Sequence, residues 1–184
     1  MIDAIILAAG QGTRMKSNKA KVLHQLGGKS LLQHVIDAIN PLTTSINIVI
    51  GNDAELVKNS INSHSINWIV QEKQLGTGHA VQQAITSIND KSTCIILYGD
   101  VPFISTNTIK SLIAQSQLTG FSLLSVILDD PSSYGRIVRD KNKLIQAIIE
   151  HKDANDEKRK INEINTGVMA IKGSLLKKYI SQLK

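Results

Sequence analysis

The stretch that decides the fold is IDAIILAAGQGTRM, residues 2–15. Its first six residues, Ile2-Asp3-Ala4-Ile5-Ile6-Leu7, predict a buried strand that runs directly into a glycine loop. In α/β proteins such a loop binds phosphate, because its backbone N–H groups converge on the anion. Gly10 and Gly12 permit positive φ angles and close approach of the backbone, so the stretch predicts a phosphate site.

Basic side chains follow the loop, and Arg14 and Lys21 can both reach phosphate oxygens, Arg as a planar fork and Lys as a point charge. Two common phosphate motifs are excluded by spacing. Met15 stands where a Walker A loop needs its second glycine, and also where a dinucleotide fingerprint needs its third. The loop is therefore of another type, and a plain glycine turn without a ligand remains the alternative.

Length and composition narrow the class of protein. The chain has 184 residues, 42% of them hydrophobic, which suits one globular domain. Its net charge of +6 suggests an anion partner, but six aromatic residues are too few for a nucleic-acid stacking platform. We expect no membrane span, no signal peptide and no disulfide, since Cys94 is the only cysteine. These features predict a cytoplasmic protein that binds neither nucleic acid nor membrane.

Strand and helix patterns alternate along the chain. Strands are predicted at 2–7, 46–50, 66–70, 93–97, 123–128 and 164–171, helices at 31–39, 54–62, 76–88, 105–117 and 174–183, a hairpin at 134–149 and a loop at 152–160. Thr77 and Ser105 are plausible N-caps. This order predicts an α/β fold with a Rossmann-like mixed, mainly parallel sheet, helices on both faces and a small β-hairpin part.

Three loops of such a sheet would meet at the carboxyl ends of its strands, where ligands bind: the glycine loop, residues 71–77 and residues 98–102. Asp100 in the last of these is a suitable oxygen ligand for Mg²⁺, although a turn aspartate is the alternative. The amide of Gln71 could pair with a uracil edge. His79 is expected to be a structural residue in the first turn of a helix.

Several motifs resemble those of nucleotidyltransferases that join a sugar phosphate to a nucleoside triphosphate. These are L-A-A-G-x-G-T-R-M at Leu7–Met15 with Lys21 beyond it, and Y-G-D-x-P at Tyr98–Pro102. Q-x-x-x-L-G-T-G-H-A at Gln71–Ala80 and K-V-L-H at Lys21–His24 resemble the uridylyltransferase domains of the bifunctional N-acetylglucosamine-1-phosphate uridylyltransferase family. The segments at 134–137, 150–154 and 163–167 are similar to later motifs of that family.

The resemblance implies a role for each matching residue. Catalytic roles fall to Lys21, Arg14 and Asp100, with Asp100 also binding Mg²⁺ beside a second ligand, an asparagine, that lies outside this chain. Nucleotide contacts fall to Leu7, Ala8, Ala9, Gly10, Gly12, Lys21, Gln71, Gly76, Thr77, Tyr98, Gly99 and Asp100, and sugar contacts to Gly135, Glu150 and Asn165. From sequence alone, Glu150 and Asn165 would more often be surface or turn residues, and Gly135 a turn.

The implied reaction joins UTP and N-acetylglucosamine-1-phosphate to give UDP-N-acetylglucosamine and pyrophosphate, for peptidoglycan and lipopolysaccharide precursors. Residues 1–128 would form the nucleotide-binding part and 129–184 the sugar-phosphate-binding part of one nucleotidyltransferase domain, 1–184, incomplete at its C-terminal end. The acetyltransferase domain, through which the family forms trimers, would be absent. A related cytidylyltransferase or molybdenum-cofactor guanylyltransferase, or a nucleotide-binding module without turnover, remain alternatives.

Overall fold

The structure is a computed structural model that describes residues 1–10, 12, 17, 19–51, 53–61 and 65–183. It divides into two compact units, one formed by residues 1–122 together with 169–184, the other by residues 123–168. None of the helices among the described residues has the length and apolar character needed to cross a membrane.

Ten strands and six α-helices are described. The strands are β1 (Ile2–Ala8), β2 (Gln25–Leu26), β3 (Lys29–Ser30), β4 (Ser45–Ile50), β5 (Ile66–Val70), β6 (Thr93–Tyr98), β7 (Phe121–Ile127), β8 (Arg136–Arg139), β9 (Ile145–Ile149) and β10 (Glu163–Lys172). The helices are α1 (Leu31–Ile39), α2 (Ala54–Asn59), α3 (Thr77–Ala84), α4 (Thr106–Thr119), α5 (Asp156–Arg159) and α6 (Gly173–Ile180). Short 3-10 turns lie at Lys21–Leu23, Ile85–Ser87 and His151–Asp153.

The first unit is built on a parallel sheet in the order β5-β4-β1-β6. In β1, Leu7 pairs with Val49 of β4 on one side and with Tyr98 of β6 on the other. Residues 169–172 of β10 add an antiparallel strand beside β6. Because the four parallel strands share one direction, their carboxyl ends lie along one edge of this sheet, and the loops that follow them meet there.

Apolar side chains alternate between the two faces of this sheet. On one face, Ile5, Val49 and Ile96 belong to the same buried cluster as residues of α3 and α6, including Ala84 and Leu176. The other face is formed by residues such as Ile6, Ile48 and Leu97, which are fully buried. Helices α1 and α4 contact each other, and α4 contacts β6. The predicted α/β class with a mainly parallel sheet is confirmed.

The second unit contains the hairpin of β8 and β9, which pair antiparallel from Arg136↔Ile149 to Arg139↔Ile145. Ile164 of β10 pairs with Arg136 on the other side of β8. The Thr166 hydroxyl in β10 donates to the carbonyl of Leu124 in β7 at 2.6 Å. The predicted hairpin and the predicted strand over 164–171 are therefore present.

Two local details differ from the sequence predictions. Thr77 is the first residue of α3 rather than its N-cap, which is Gly76, whose φ of 103° suits a residue without a Cβ. The predicted loop at 152–160 contains α5, whose N-terminus is capped when the Asn155 side chain accepts from the Lys158 N–H at 3.0 Å.

Candidate active site

Three loops meet at the carboxyl edge of the parallel sheet in the first unit. The Gly99 N–H, which follows β6, donates to the carbonyl of Leu7 in β1 at 2.9 Å. The Gln71 N–H, which follows β5, donates to the carbonyl of Ile50 at the end of β4 at 2.8 Å. The loops predicted to gather at one edge are therefore adjacent along it.

At this edge the Lys21 ammonium forms an ion pair with the Asp100 carboxylate. The side chains are 36% and 25% exposed, so both charges are accessible to a ligand. Gly12 lies against the lysine stem: a Cβ at Gly12 would stand 2.7 Å from the Cβ of Lys21. The φ of Gly12 is +60°, so its backbone conformation also favours glycine. A lysine, an aspartate and one loop glycine are thus in direct contact.

The backbone at Gly99 is closely surrounded. A Cβ there would stand 3.1 Å from Leu32 Cδ1, 3.2 Å from Val22 Cγ1 and 3.4 Å from the Cβ of Ala8. Gly99 is buried, whereas its neighbours Tyr98 and Asp100 are partly exposed. The tight packing of Gly99 fixes the direction in which the chain leaves β6, and with it the position of Asp100.

Two further contacts at this edge involve residues to which the sequence assigned no role. The Gln74 amide nitrogen donates to the Ala9 carbonyl at 2.9 Å. Gly51, which follows β4, would carry a Cβ 2.8 Å from that same carbonyl oxygen and 2.8 Å from the Gln74 Nε2. Gly51 ends a parallel strand, so the rule that placed the other loops could have found it. Gln74 lies within the segment already singled out, but its partner lies 65 residues away.

Gln71 is buried, with 3% exposure, and its amide nitrogen has two partners. It donates to the carbonyl oxygen of Gly76 at 3.3 Å and lies 2.9 Å from Nδ1 of His79. The Ala80 N–H donates to the same Gly76 carbonyl at 3.1 Å as α3 begins. The buried Gln71 amide therefore connects the end of β5 to the start of α3.

The remaining predicted nucleotide residues divide into two groups. Ala8 and Ala9 are buried, at 7% and 8% exposure, whereas Gly10 and Thr77 are exposed. Arg14, predicted to act beside Lys21, lies outside the described residues.

A divalent cation is general among nucleotidyltransferases of this kind. Asp100 supplies a hard carboxylate that is partly exposed, which suits a divalent cation that also takes oxygen ligands from substrate phosphates. Among the described residues, no cluster of three or more His, Cys, Asp or Glu side chains could hold a metal. The donor set therefore fits an ion shared with phosphate rather than an ion enclosed by the protein.

The second unit brings together the three residues predicted to contact the sugar. A Cβ at Gly135 would lie 3.2 Å from Glu150 Oε1, and the Asn165 N–H donates to the Gly135 carbonyl at 2.8 Å. The Asn165 side chain accepts from the Gly167 N–H at 2.8 Å. Glycine, carboxylate and amide thus form one cluster, and their predicted sugar-binding role stays a prediction.

Arg136 supports this cluster from within the unit. It is 2% exposed, and its guanidinium donates to the carbonyls of Pro131, Ser132, Tyr134 and Arg159. None of these partners is a carboxylate. In the described part of the chain its hydrogen-bond partners are backbone oxygens, so it holds the chain that leads into Gly135.

A glycine, a lysine and an aspartate at the carboxyl edge of an α/β sheet are an arrangement suited to binding nucleotide phosphates. The family model of the MobA-like NTP transferase domain matches residues 4–160. The chain belongs to that family.

Comparison with individual proteins agrees with this class. The chain is 51% identical over 182 residues to the bifunctional protein GlmU of Ruthia magnifica subsp. Calyptogena magnifica, with 99% of this chain covered. It spans about 40% of the length of that relative. Among solved structures, UDP-glucose pyrophosphorylase in complex with UDP-glucose superposes with a TM-score of 0.79 at 18% identity, with 100% of this chain and 81% of that chain covered.

HddC from Yersinia pseudotuberculosis superposes with a TM-score of 0.74 at 23% identity, with 97% of this chain and 80% of that chain covered. At these identities the two structures support the fold.

Proposed function

We propose that this chain transfers a uridylyl group from UTP to N-acetylglucosamine-1-phosphate, giving UDP-N-acetylglucosamine and pyrophosphate for cell-wall precursors. The observation that carries the proposal is the contact of Lys21 with both Asp100 and Gly12 at the carboxyl edge of the sheet. A triphosphate needs amide donors, a cation and a metal-binding carboxylate in one place, and this edge offers all three. The similarity to GlmU favours uridine and the amino sugar as the substrates.

The proposed reaction does not require the protein to transfer a proton. An oxygen of the sugar phosphate attacks the α-phosphorus of UTP, a new P–O bond forms, and the bond to pyrophosphate breaks in line with it. A phosphate monoester has a second pKa of about 6, so the nucleophile is already anionic at neutral pH. No general base is required, and the site must instead overcome repulsion between anions.

Lys21 and Asp100 have separate tasks in this reaction. The Lys21 ammonium binds phosphate oxygens and stabilises the negative charge that moves onto the departing pyrophosphate. Asp100 would hold Mg²⁺ together with the substrate phosphates, and that ion supplies further charge neutralisation when bound. Without substrate the two side chains pair with each other, so each offsets the other's charge. Arg14 and the amides of Gly10 and Gly12 would complete the phosphate contacts.

The second unit would bind the amino sugar. The Glu150 carboxylate can accept hydrogen bonds from sugar hydroxyls, and the Asn165 amide can pair with an N-acetyl group. The absence of a side chain at Gly135 leaves room for the Glu150 carboxylate, which a Cβ there would approach to 3.2 Å. These contacts bind and orient the sugar and need no catalytic group.

A pyrophosphate-release assay tests the proposal. The chain is incubated with Mg²⁺, N-acetylglucosamine-1-phosphate and each of the four nucleoside triphosphates in turn. Release with UTP alone supports the uridylyltransferase. Release with another nucleotide identifies a related transferase, and binding of UTP without release identifies a nucleotide-binding module. Either of the last two results would overturn the proposed reaction.

A further inference from the structure

Gln71 is expected from the sequence to pair with the uracil edge, and the inference about its orientation rests on the proposed function, in which UTP is the substrate. An amide side chain has two different ends, one donor and one acceptor, and which end faces a ligand decides which base edge it can pair with. The orientation is assigned from the surrounding hydrogen bonds. Here those bonds come from Gly76 and His79.

Two arrangements of hydrogen bonds satisfy the His79 ring. In the first, Nδ1 accepts from the Gln71 NH₂ and Nε2 carries the proton. In the second, Nδ1 carries the proton and donates to the Gln71 oxygen, while Nε2 accepts from the Gln83 amide nitrogen, which lies 3.2 Å away. The contacts of His79 with Gln83 do not distinguish the two arrangements, because the exposed Gln83 amide can rotate to present either its oxygen or its nitrogen.

The Gly76 carbonyl decides in favour of the first arrangement. It lies 3.3 Å from the same end of the Gln71 amide, and a carbonyl can only accept. The second arrangement would place two oxygen atoms against each other in a buried position, which is costly. Gly76 holds its carbonyl there through a backbone conformation, φ 103° and ψ −179°, that favours glycine.

The free end of Gln71 is then its oxygen. With the NH₂ group bound to Gly76 and His79, Oε1 has no hydrogen-bond partner among the described residues. Gln71 as a whole is 3% exposed, and Oε1 is the polar atom of its side chain that the contacts with Gly76 and His79 leave available.

We propose that His79 is a specificity-determining positioning residue: its Nδ1, as an acceptor, and the Gly76 carbonyl fix Gln71 with the amide oxygen toward the nucleobase. An acceptor at that point pairs with the N3–H of uracil. It faces the N3 lone pair of cytosine, with which it cannot form a hydrogen bond. The buried amide thus favours UTP over CTP, because a polar site rejects a ligand that leaves its groups unpaired.

Two substitutions of His79 test this assignment. Asn retains an acceptor near the position of Nδ1, and Leu has nearly the same shape as Asn without one. Dissociation constants for UTP and CTP are measured by calorimetry on the full chain with Mg²⁺. We expect the CTP-to-UTP ratio of dissociation constants to fall about tenfold in His79→Leu, the value of roughly one hydrogen bond. In His79→Asn the ratio stays close to wild type.

The control is Gln83→Ala, which removes the exposed partner of Nε2 and should leave the ratio unchanged. A second measurement needs no ligand: nitrogen NMR of histidine-labelled chain, with the His79 signals assigned by their loss in His79→Asn. The proposal expects Nε2 protonated and Nδ1 free in the neutral ring. A proton on Nδ1 would overturn it.

The role of His79 and the proposed function can be contradicted separately. A wild-type chain that binds UTP in preference to CTP, with the same ratio in His79→Leu, contradicts the role of His79 and leaves the proposed function intact. A wild-type chain that does not bind UTP contradicts the proposed function, and the inference falls with it. A loss of preference in Leu that Asn restores supports both.

Discussion

The Lys21 ammonium and the Asp100 carboxylate form an ion pair that joins the segment after β1 to the loop after β6. Both side chains remain partly exposed, so the pair lies at the surface of the site rather than in the core. An exposed pair of this kind contributes little to folding, at most about 1 kcal/mol. Its charges are therefore available for phosphate chemistry.

Replacing Lys21 with Ala should lower turnover much more than stability. We expect kcat for pyrophosphate release to fall about 100-fold or more, because a preorganised cation no longer stabilises the transition state. The free energy of unfolding should change by less than about 1 kcal/mol. Lys177→Ala is the control, since Lys177 forms an exposed pair with Asp90 at 2.5 Å, away from the site. Wild-type turnover in Lys21→Ala would remove this lysine from the mechanism.

Gly12→Ala should damage the site by moving Lys21. The new Cβ would stand 2.7 Å from the lysine Cβ, so the stem must shift, and a small misplacement of a catalytic group costs about 10- to 100-fold in rate. Gly27→Ala is a matched control: its φ of +57° is close to the +60° of Gly12, but nothing lies within 4 Å of its added Cβ. Both variants should lose about 1 kcal/mol of stability. Equal activity in the two variants would show that the contact between Gly12 and Lys21 does not affect turnover.

The sequence predicted the sheet and the gathering of its loops because both follow from local pattern. When strands and helices alternate along a chain, the strands pair in parallel. The residues that follow Leu7, Val70 and Leu97 therefore lie at the same edge of the sheet. Side-chain contacts across that edge could not be predicted. Whether Gln74 bonds Ala9, or Gln71 bonds His79, depends on how loops of different strands turn toward each other.

N-caps were predicted at two positions, and the one at Ser105 is confirmed, because its side chain accepts from the Thr108 N–H at 3.1 Å. Thr77 has a good capping side chain, but the φ of 103° at Gly76 places the cap one residue earlier. The charged run at 152–160 looked like a loop, and its helical turn depends on one Asn155 cap. Short elements have few residues, so a single side chain decides whether they form.

The buried guanidinium of Arg136 should be important for stability of the second unit. Arg136→Met would leave the carbonyls of Pro131, Ser132, Tyr134 and Arg159 without this donor, and we expect a loss of about 3 kcal/mol. Arg139→Met, in the same strand but exposed, should cost about 1 kcal/mol. Chemical denaturation measures both, and amide hydrogen exchange over 131–137 localises the effect. Similar losses of unfolding free energy in the two variants would show that the burial of Arg136 does not make it more important for stability than Arg139.

Glu163 should make the stability of the second unit pH-dependent. Hydrogen bonds from Arg139 hold the pKa of Glu163 below its usual 4.5, although burial opposes them; the Ser125 hydroxyl adds to the lowering. Because the folded-state pKa is lowered, the stabilisation is present above the unfolded pKa and is lost as pH falls through the folded pKa.

The test of this dependence is Glu163→Gln, which keeps the shape of the side chain and removes its charge. It should cost about 1 kcal/mol at neutral pH, a value reduced by partial exposure, and the difference from wild type should disappear as both are titrated into acid. A difference that stays constant with pH would mean that the carboxylate charge has no part in stability.

Cys94 should be unreactive in the folded chain. It is fully buried in β6, where burial raises the pKa of its thiol, and the nearby Asp3 carboxylate raises it further. Asp3 is itself buried and accepts hydrogen bonds from Ser45, Asn89 and Ser92, so its position is fixed. Since the thiolate is the reactive form, a disulfide reagent can attack only after the sheet opens.

Labelling kinetics with an aromatic disulfide check this at mildly alkaline pH, where an exposed thiol is partly ionised. Reaction of the folded chain should be at least about a thousandfold slower than in concentrated guanidinium chloride, as expected for opening against an ordinary folding free energy. Cys94→Ala gives the background. Rapid stoichiometric labelling with unchanged circular dichroism would show that β6 admits reagent without unfolding, and the central position of this strand in a closed core would then be wrong.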